Sequence, residues 1–269
     1  MPSNGSAVPF NASTERSPSL QFNEDWFLAL DKVIATAGDL GVRLIIPFIN
    51  MIELEQWGGA SSLARWAGVK PTQFFQHDLT ITLYKKVVWY VLSRRNRITG
   101  RNYKDEPAIF GWELGNELFS PICDDLKPPH CGRQTSLRDF PEVPIEWTRQ
   151  MAEFIRGLDA NHLIISGSFI KSGAEAEVAD IDLLGGSYYY ADTWQLEQDI
   201  ATVNGQRPIL VKEFGLAGDS GLSSVNDTLK LIEASPAVAG VSTGAFEGMP
   251  RRGAFTGTMK RCSTGIVAR

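Results

Sequence analysis

The stretches IFGWELGNE, at residues 109–117, and PILVKEFG, at residues 208–215, each place a glutamate at the end of a short apolar run. An apolar run of this length, bounded by Pro or Gly, is typical of a buried parallel strand. Such runs alternate along the chain with amphipathic segments of helical length, which predicts an α/β fold with a parallel sheet covered by helices. In a barrel of such strands, active residues lie at the carboxyl ends of the strands. We therefore expect Glu117 and Glu213 to meet in space.

The spacing of the apolar residues places the other elements. The predicted strands cover residues 42–49, 108–113, 163–166, 181–188, 209–212 and 238–245. The predicted helices cover residues 23–41, with Asn23 as the N-cap, and residues 71–95, 145–158, 194–203 and 223–234. Residues 50–68 and 118–144 are predicted as long loops, which on a barrel tend to shape the substrate cleft. Residues 1–22 are predicted to form a flexible N-terminal segment, and residues 23–269 a single domain.

The composition is that of an ordinary globular protein, with 43% hydrophobic and 21% charged residues in 269. The formal net charge of −5 provides no basic surface for nucleic acid or anionic lipid. No apolar run approaches the length of about eighteen residues that a membrane span needs. We therefore expect no nucleic-acid or membrane partner, and a monomer.

The cysteines and histidines show no metal-binding spacing, so we expect no metal site. Cys123 and Cys131 lie in one Pro-rich loop and could close a small disulfide, which would leave Cys262 unpaired.

Three Asn-x-Ser/Thr sequons begin at Asn4, Asn11 and Asn226, and they would suit a secreted glycoprotein. Residues 1–19 lack the apolar stretch of a signal peptide. Extracellular location is therefore an expectation that the sequons suggest, with no signal peptide present in this chain.

Two facing carboxyl groups are the usual requirement for glycoside hydrolysis, one as acid and one as base or nucleophile. One of the two carboxyl groups would have to stay protonated, and burial or the charge of the other would raise its pKa. Glu113 lies inside the predicted strand, and we expect it to make a structural hydrogen bond or ion pair. The sequence has seven tryptophans, and exposed aromatic rings are surfaces on which sugar rings stack.

Residues 103–117 resemble the fourth-strand region of glycoside hydrolase family 5, and the likeness is greatest to the endo-β-1,4-mannanases of fungi and plants. RRNRITG at 94–100 is similar to the helix end and turn before that strand, and Trp57-Gly58-Gly59 to the loop after the third strand. DANHLI at 159–164 resembles the start of the fifth strand, and KEFG at 212–215 the seventh. The likeness runs in register from about residue 24 to about residue 244.

This resemblance implies a (β/α)8 TIM-barrel fold and a retaining mechanism without a cofactor. It implies that Glu117 is the acid/base, that Glu213 is the nucleophile, and that Asn116 bonds the sugar 2-hydroxyl. It also implies that Tyr190 holds the nucleophile.

Trp57 and Trp194 are further candidates for substrate binding, because an exposed indole can stack on a sugar ring.

The chain departs from the family pattern at several places. Strands three to eight are recognisable, but the first two strands are missing, together with the arginine that ends the second, so we expect an incomplete barrel. Tyr188 stands where the family often has a histidine, and Gly244 where it has a tryptophan. Residues 251–269 do not resemble the final helix of the barrel. A truncated gene model and a degenerate homologue would both explain these departures.

The sequence thus predicts a retaining hydrolase of β-1,4-mannan, a polysaccharide or its oligosaccharides. The alternatives are a β-glucanase or exo-β-glycosidase of the same family, and a non-catalytic carbohydrate-binding remnant.

Overall fold

Six parallel strands lie within the residues that the computed structural model describes, which are 20, 22–51, 59–122, 137–189, 193–215 and 222–242. In chain order the strands are Leu44–Pro47 (β1), Ile109–Glu113 (β2), Leu163–Ile165 (β3), Leu184–Tyr189 (β4), Ile209–Gly215 (β5) and Val238–Val241 (β6). They pair in the order β1-β2-β3 and β4-β5-β6, and every pair is parallel. A single bridge between Ile165 and Leu183 connects the two groups of strands. The carboxyl ends of all these strands therefore lie along one edge.

Helices connect the strands in the alternating pattern that the sequence predicts. They are Glu24–Asp39 (α1), Ala60–Trp66 (α2), Asp78–Ser93 (α3), Ile145–Leu158 (α4), Thr193–Val203 (α5) and Leu222–Ala234 (α6), with short 3₁₀ turns at Pro71–Gln73, Tyr103–Asp105, Leu137–Asp139 and Ala174–Glu177. The predicted cap of the first helix is confirmed, because Asn23 Oδ1 accepts from the backbone N–H of Asp25 at 3.0 Å. Within the described ranges, no helix is both long and apolar enough to cross a membrane.

The apolar side chains form two clusters on opposite faces of the strands. The larger cluster contains the helix-facing side chains, among them the fully buried Trp112. The smaller cluster contains Ile45 of β1, Ile165 of β3, Leu210 of β5 and the adjacent Leu183. Side chains from alternate strands fill the interior of a (β/α)8 barrel in this way. The smaller cluster is thus the inner core of a barrel-type sheet, which confirms the predicted fold class.

Several elements differ from the sequence-based prediction, including β1 and β6, which are shorter than predicted. Helix α2 lies inside the predicted loop 50–68, because a helix of seven residues is too short to show a clear apolar period. The third helix begins at Asp78, after the 3₁₀ turn at Pro71–Gln73. Strand β4 begins at Leu184 rather than at residue 181. Strand β5 continues to Gly215, so Glu213 lies within the strand and not after it.

Candidate active site

Asn116 and Glu117 follow β2 in a segment that neighbouring segments hold on both sides. The Asn116 N–H donates to the Ile49 carbonyl at 2.8 Å, and the Asn116 carbonyl accepts from the Met51 N–H at 3.0 Å. On the other side, the Leu118 N–H donates to the Gly167 carbonyl at 3.1 Å. The backbone around Glu117 is therefore fixed between the extensions of β1 and β3.

Glu117 itself has a left-handed backbone conformation, with φ of 52°. A residue with a Cβ rarely adopts this conformation, and it costs on the order of 1–2 kcal/mol. The paired segments before and after Glu117 hold it there. The result is a half-buried glutamate at the carboxyl edge of the strands.

Glu117 and Glu213 interact electrostatically across the site, although they belong to different groups of strands. Burial raises the pKa of Glu117, and the negative charge of Glu213 raises it further. Lys212 and the Ser187 hydroxyl act in the opposite direction, and the charge of Glu113 adds a smaller increase. The net effect favours a protonated Glu117 beside Glu213, as the sequence-based argument expects of an acid/base residue.

Ser187, on β4, is a further residue of this site. Its hydroxyl is near enough to Glu117 to lower the pKa of that carboxyl. Within the described part of the chain, however, Ser187 Oγ is buried and makes no hydrogen bond of normal geometry.

Beneath these groups, Lys212 and Glu113 form a buried ion pair. The Lys212 ammonium contacts Glu113 Oε1, and the side chains of the two residues are 4% and 0% exposed. The same ammonium donates to Asn116 Oδ1 at 3.3 Å and to the Gly167 carbonyl at 3.4 Å. The expectation that Glu113 makes a structural ion pair is confirmed.

Glu175 is another carboxylate at this edge, and it accepts a hydrogen bond from the Ser168 hydroxyl. Desolvation raises the pKa of Glu175, while hydrogen bonds from Ser168 and Ser166 oppose the increase. Sequence reasoning missed Lys212, Ser187 and Glu175. For Lys212 a signal existed, because a lysine inside the apolar run PILVKEFG needs a buried partner.

The aromatic candidates are placed only in part. Trp194 lies in the first turn of α5 with 56% of its surface exposed. Trp57 and Tyr190 lie outside the described residues, as do Asn4, Asn11, Cys123, Cys131, Gly244 and Cys262. Tyr188 is buried and donates to Asp199 Oδ2 at 2.8 Å.

Across the described ranges, no group of three or more His, Cys, Asp or Glu side chains could hold a metal ion. In the part of the chain that the structure describes, the side chains of the site are carboxylates, an amide, hydroxyls and an ammonium. These groups can transfer protons and attack an electrophilic carbon.

Comparison with known proteins gives a consistent picture. Residues 4–184 match a family described as GH family 5 beta-mannosidase-like. Mannan endo-1,4-beta-mannosidase 1 of Arabidopsis thaliana is 36% identical over 147 residues, a stretch that covers 54% of this chain and 32% of that protein. Mannan endo-1,4-beta-mannosidase 4 of Oryza sativa subsp. japonica is 31% identical over 202 residues, which cover 71% of this chain and 40% of that protein. The matched stretches thus span about a third and two fifths of the lengths of these relatives.

Solved structures show the same fold. The endo-beta-1,4-mannanase from Thermotoga petrophila superposes with a TM-score of 0.67 at 21% identity, covering 81% of this chain and 52% of that chain. The endo-1,4-beta-mannanase from Rhizomucor miehei superposes with a TM-score of 0.64 at 22% identity, covering 84% of this chain and 69% of that chain.

Proposed function

Because the chain belongs to the β-mannosidase-like group of glycoside hydrolase family 5, we propose that it hydrolyses β-1,4-mannan or a related β-glycan with retention of configuration. Glu117 is the acid/base in this proposal, and Glu213 is the nucleophile. The observation that carries it is the charge interaction between these two side chains, which come from β2 and β5 to one edge of the sheet.

The chemistry proceeds in two displacements. The Glu213 carboxylate attacks the anomeric carbon and forms a glycosyl ester, while protonated Glu117 gives its proton to the departing glycosidic oxygen. Water then attacks the same carbon, Glu117 accepts its proton, and the ester bond to Glu213 breaks. Retaining enzymes place the two carboxyl groups about 5–5.5 Å apart for this purpose.

Neighbouring groups support these roles. The raised pKa of Glu117 favours the protonated form that a proton donor needs. We assign Asn116 the hydrogen bond to the sugar 2-hydroxyl, and Tyr190 the bond that holds the nucleophile. Trp57 and Trp194 are assigned as stacking surfaces for sugar rings, and the exposure of Trp194 supports that assignment.

The substrate is a polysaccharide or oligosaccharide, and the protein acts as an extracellular monomer in this proposal. Both relatives described above are named for mannan hydrolysis, which supports mannan over other β-glycans. Exposure of the sequon residue Asn226 on α6 is consistent with a secreted glycoprotein.

The test is reducing-sugar release from galactomannan, glucomannan and β-glucan by the wild type, Glu117→Ala and Glu213→Ala. Glu153→Ala is the matched control, because Glu153 is an exposed glutamate on α4. We expect release from the mannans by the wild type and the control, and loss in both site variants. Release from β-glucan alone would favour the glucanase.

The roles of the two glutamates can be separated with azide and an aryl β-1,4-mannobioside whose leaving group departs without a proton. In Glu213→Ala, azide should replace the nucleophile and yield the α-glycosyl azide. In Glu117→Ala, it should replace the incoming water and yield the β-glycosyl azide. No sugar release by wild-type protein shown to be folded by circular dichroism would overturn the proposal, and binding of mannan by that protein would favour the carbohydrate-binding remnant.

A further inference from the structure

Lys212 is a buried cation that the two-carboxylate mechanism does not use. Its ammonium contacts three groups, the Glu113 carboxylate, the Asn116 amide oxygen and the Gly167 carbonyl. All three are hydrogen-bond acceptors, so the three N–H bonds of the ammonium are fully used. Removing a lysine from water is costly unless it is paired in this way.

The contact with Asn116 fixes which end of the amide faces Lys212. An ammonium can only donate, so the amide must present its oxygen to Lys212 and not its NH2 group. The Asn116 NH2 group therefore points away from the ammonium and remains able to donate. Without Lys212, either end of the amide could face the interior, because the two orientations have the same shape.

Two glycines provide the space for this arrangement. A Cβ at position 185 would lie 2.7 Å from Lys212 Cδ, so only glycine leaves room for the lysine stem. A Cβ at position 167 would lie 3.0 Å from Glu113 Oε1 and 2.0 Å from the Gly115 carbonyl oxygen. The chain thus accommodates the ion pair from both sides.

We propose that Lys212, anchored by Glu113, is a positioning residue that orients the Asn116 amide so that its NH2 group donates to the 2-hydroxyl of the sugar at the scissile bond. This inference rests on the proposed function for the identity of the sugar. The orientation of the amide itself rests on the contacts of Lys212 alone.

The variants must separate positioning from folding. Lys212→Met alone leaves Glu113 buried and unpaired, which is strongly destabilising. The double variant Lys212→Met with Glu113→Gln removes both charges at nearly constant shape, and we expect it to fold. Lys230→Met is the matched control, because Lys230 is exposed on α6 and pairs only locally with Asp227.

The first readout is the dependence of kcat/KM on the 2-hydroxyl. An aryl β-1,4-mannobioside is compared with its analogue that lacks the 2-hydroxyl of the sugar at the scissile bond. We expect the wild type and Lys230→Met to prefer the complete substrate, and the double variant to lose about tenfold of that preference, the equivalent of one hydrogen bond. An unchanged preference in the double variant would overturn the proposal.

The second readout needs no activity. The side-chain amide signals of Asn116 are identified in a ¹⁵N NMR spectrum by their loss in Asn116→Asp. We expect the chemical shifts of these signals to change in the double variant and to stay the same in Lys230→Met. Unchanged chemical shifts in the double variant would show that Lys212 does not orient Asn116. If the wild type hydrolyses neither substrate, both the proposed function and the contact between Asn116 and the sugar are overturned. The NMR result would still decide whether Lys212 orients Asn116.

Discussion

Asp159 and His162 form an ion pair at the start of β3, with 2.7 Å between Asp159 Oδ2 and His162 Nδ1. The indole N–H of Trp112 donates to the same carboxylate oxygen at 2.6 Å. The other ring nitrogen of His162 lies 3.0 Å from the Glu106 carbonyl oxygen. Both partners of the ring can only accept, so the doubly protonated imidazolium satisfies them best. The buried pair thus connects the segment before β3 to Trp112 of β2 and to the backbone at Glu106.

This pair predicts how stability depends on pH. Burial alone would lower the pKa of His162, but the hydrogen bond and charge of Asp159 outweigh it and raise the pKa above 6.5. Stability from His162 is therefore fully present below pH 6.5 and is lost as pH rises through the folded-state value. Burial alone would raise the pKa of Asp159, but hydrogen bonds from His162 and Trp112 outweigh it and lower the pKa below 3.8. The stabilisation from Asp159 is present above pH 3.8 and is lost as pH falls through the folded-state pKa of Asp159.

We expect the free energy of unfolding of His162→Gln to fall below that of the wild type by about 1–3 kcal/mol at pH 5.5. The difference should shrink towards pH 9, as the pH rises through the folded-state pKa of the His162 ring. Urea unfolding at the two pH values measures it. A difference that is equal at both would contradict the charged pair.

The interaction of the two carboxylates predicts a change in titration. Replacing Glu213 by Gln removes a negative charge near Glu117. The ionised form of Glu117 is then less destabilised, so the pKa of Glu117 falls. Carbon-13 NMR of labelled glutamate carboxyls measures this shift without substrate. Glu153→Gln serves as the comparison, since its side chain is exposed on α4. Equal Glu117 titration in both variants would show that the two carboxylates do not interact.

The backbone at position 167 leaves no room for a side chain larger than that of glycine. The φ angle of Gly167 is 77°, and a Cβ there would approach the Gly115 carbonyl oxygen to 2.0 Å. We expect Gly167→Ala to lower the free energy of unfolding by at least about 2 kcal/mol, from backbone strain and the clash. Gly157→Ala is the control, since a Cβ at that position of α4 meets no atom within 4 Å. In a helix this change stabilises by about 1 kcal/mol or less. Similar melting temperatures for both variants would contradict the placement of Gly167.

The buried hydrogen bond from Tyr188 to Asp199 contributes to stability by an amount that can be measured. Asp199 accepts from the Tyr188 hydroxyl at 2.8 Å, and also from Arg138 at 2.9 Å and Gln195 at 2.9 Å. Tyr188→Phe removes one donor and keeps the ring, so we expect a loss of about 1–2 kcal/mol in the free energy of unfolding. Chemical denaturation measures it. An unchanged midpoint would mean that Arg138 and Gln195 satisfy Asp199 without the tyrosine.

The strands and long helices could be predicted because their apolar periods extend over enough residues to be distinctive. The position of Glu117 followed from the end of β2, and its raised pKa followed from burial beside a second carboxylate. The run PILVKEFG indicates that Lys212 needs a buried partner, but Glu113 could not be predicted as that partner, because the two residues are far apart in sequence and their spacing carries no local signal. Helix α2 was missed because its few buried residues fit a loop equally well. The roles assigned to Trp57 and Tyr190 stay predictions.

The ion pair between Lys212 and Glu113 has a mechanical consequence. It joins β5 to β2, and the strand order places β3 and β4 between them. In a flat sheet, strands three positions apart are separated by roughly 14 Å and their side chains run side by side. Contact between the two side chains therefore requires the sheet to curl until β2 and β5 face one another. Since Glu117 follows β2 and Glu213 belongs to β5, this ion pair connects the two strands that carry these glutamates. Any ligand or substitution that flattens the sheet between β2 and β5 has to break it.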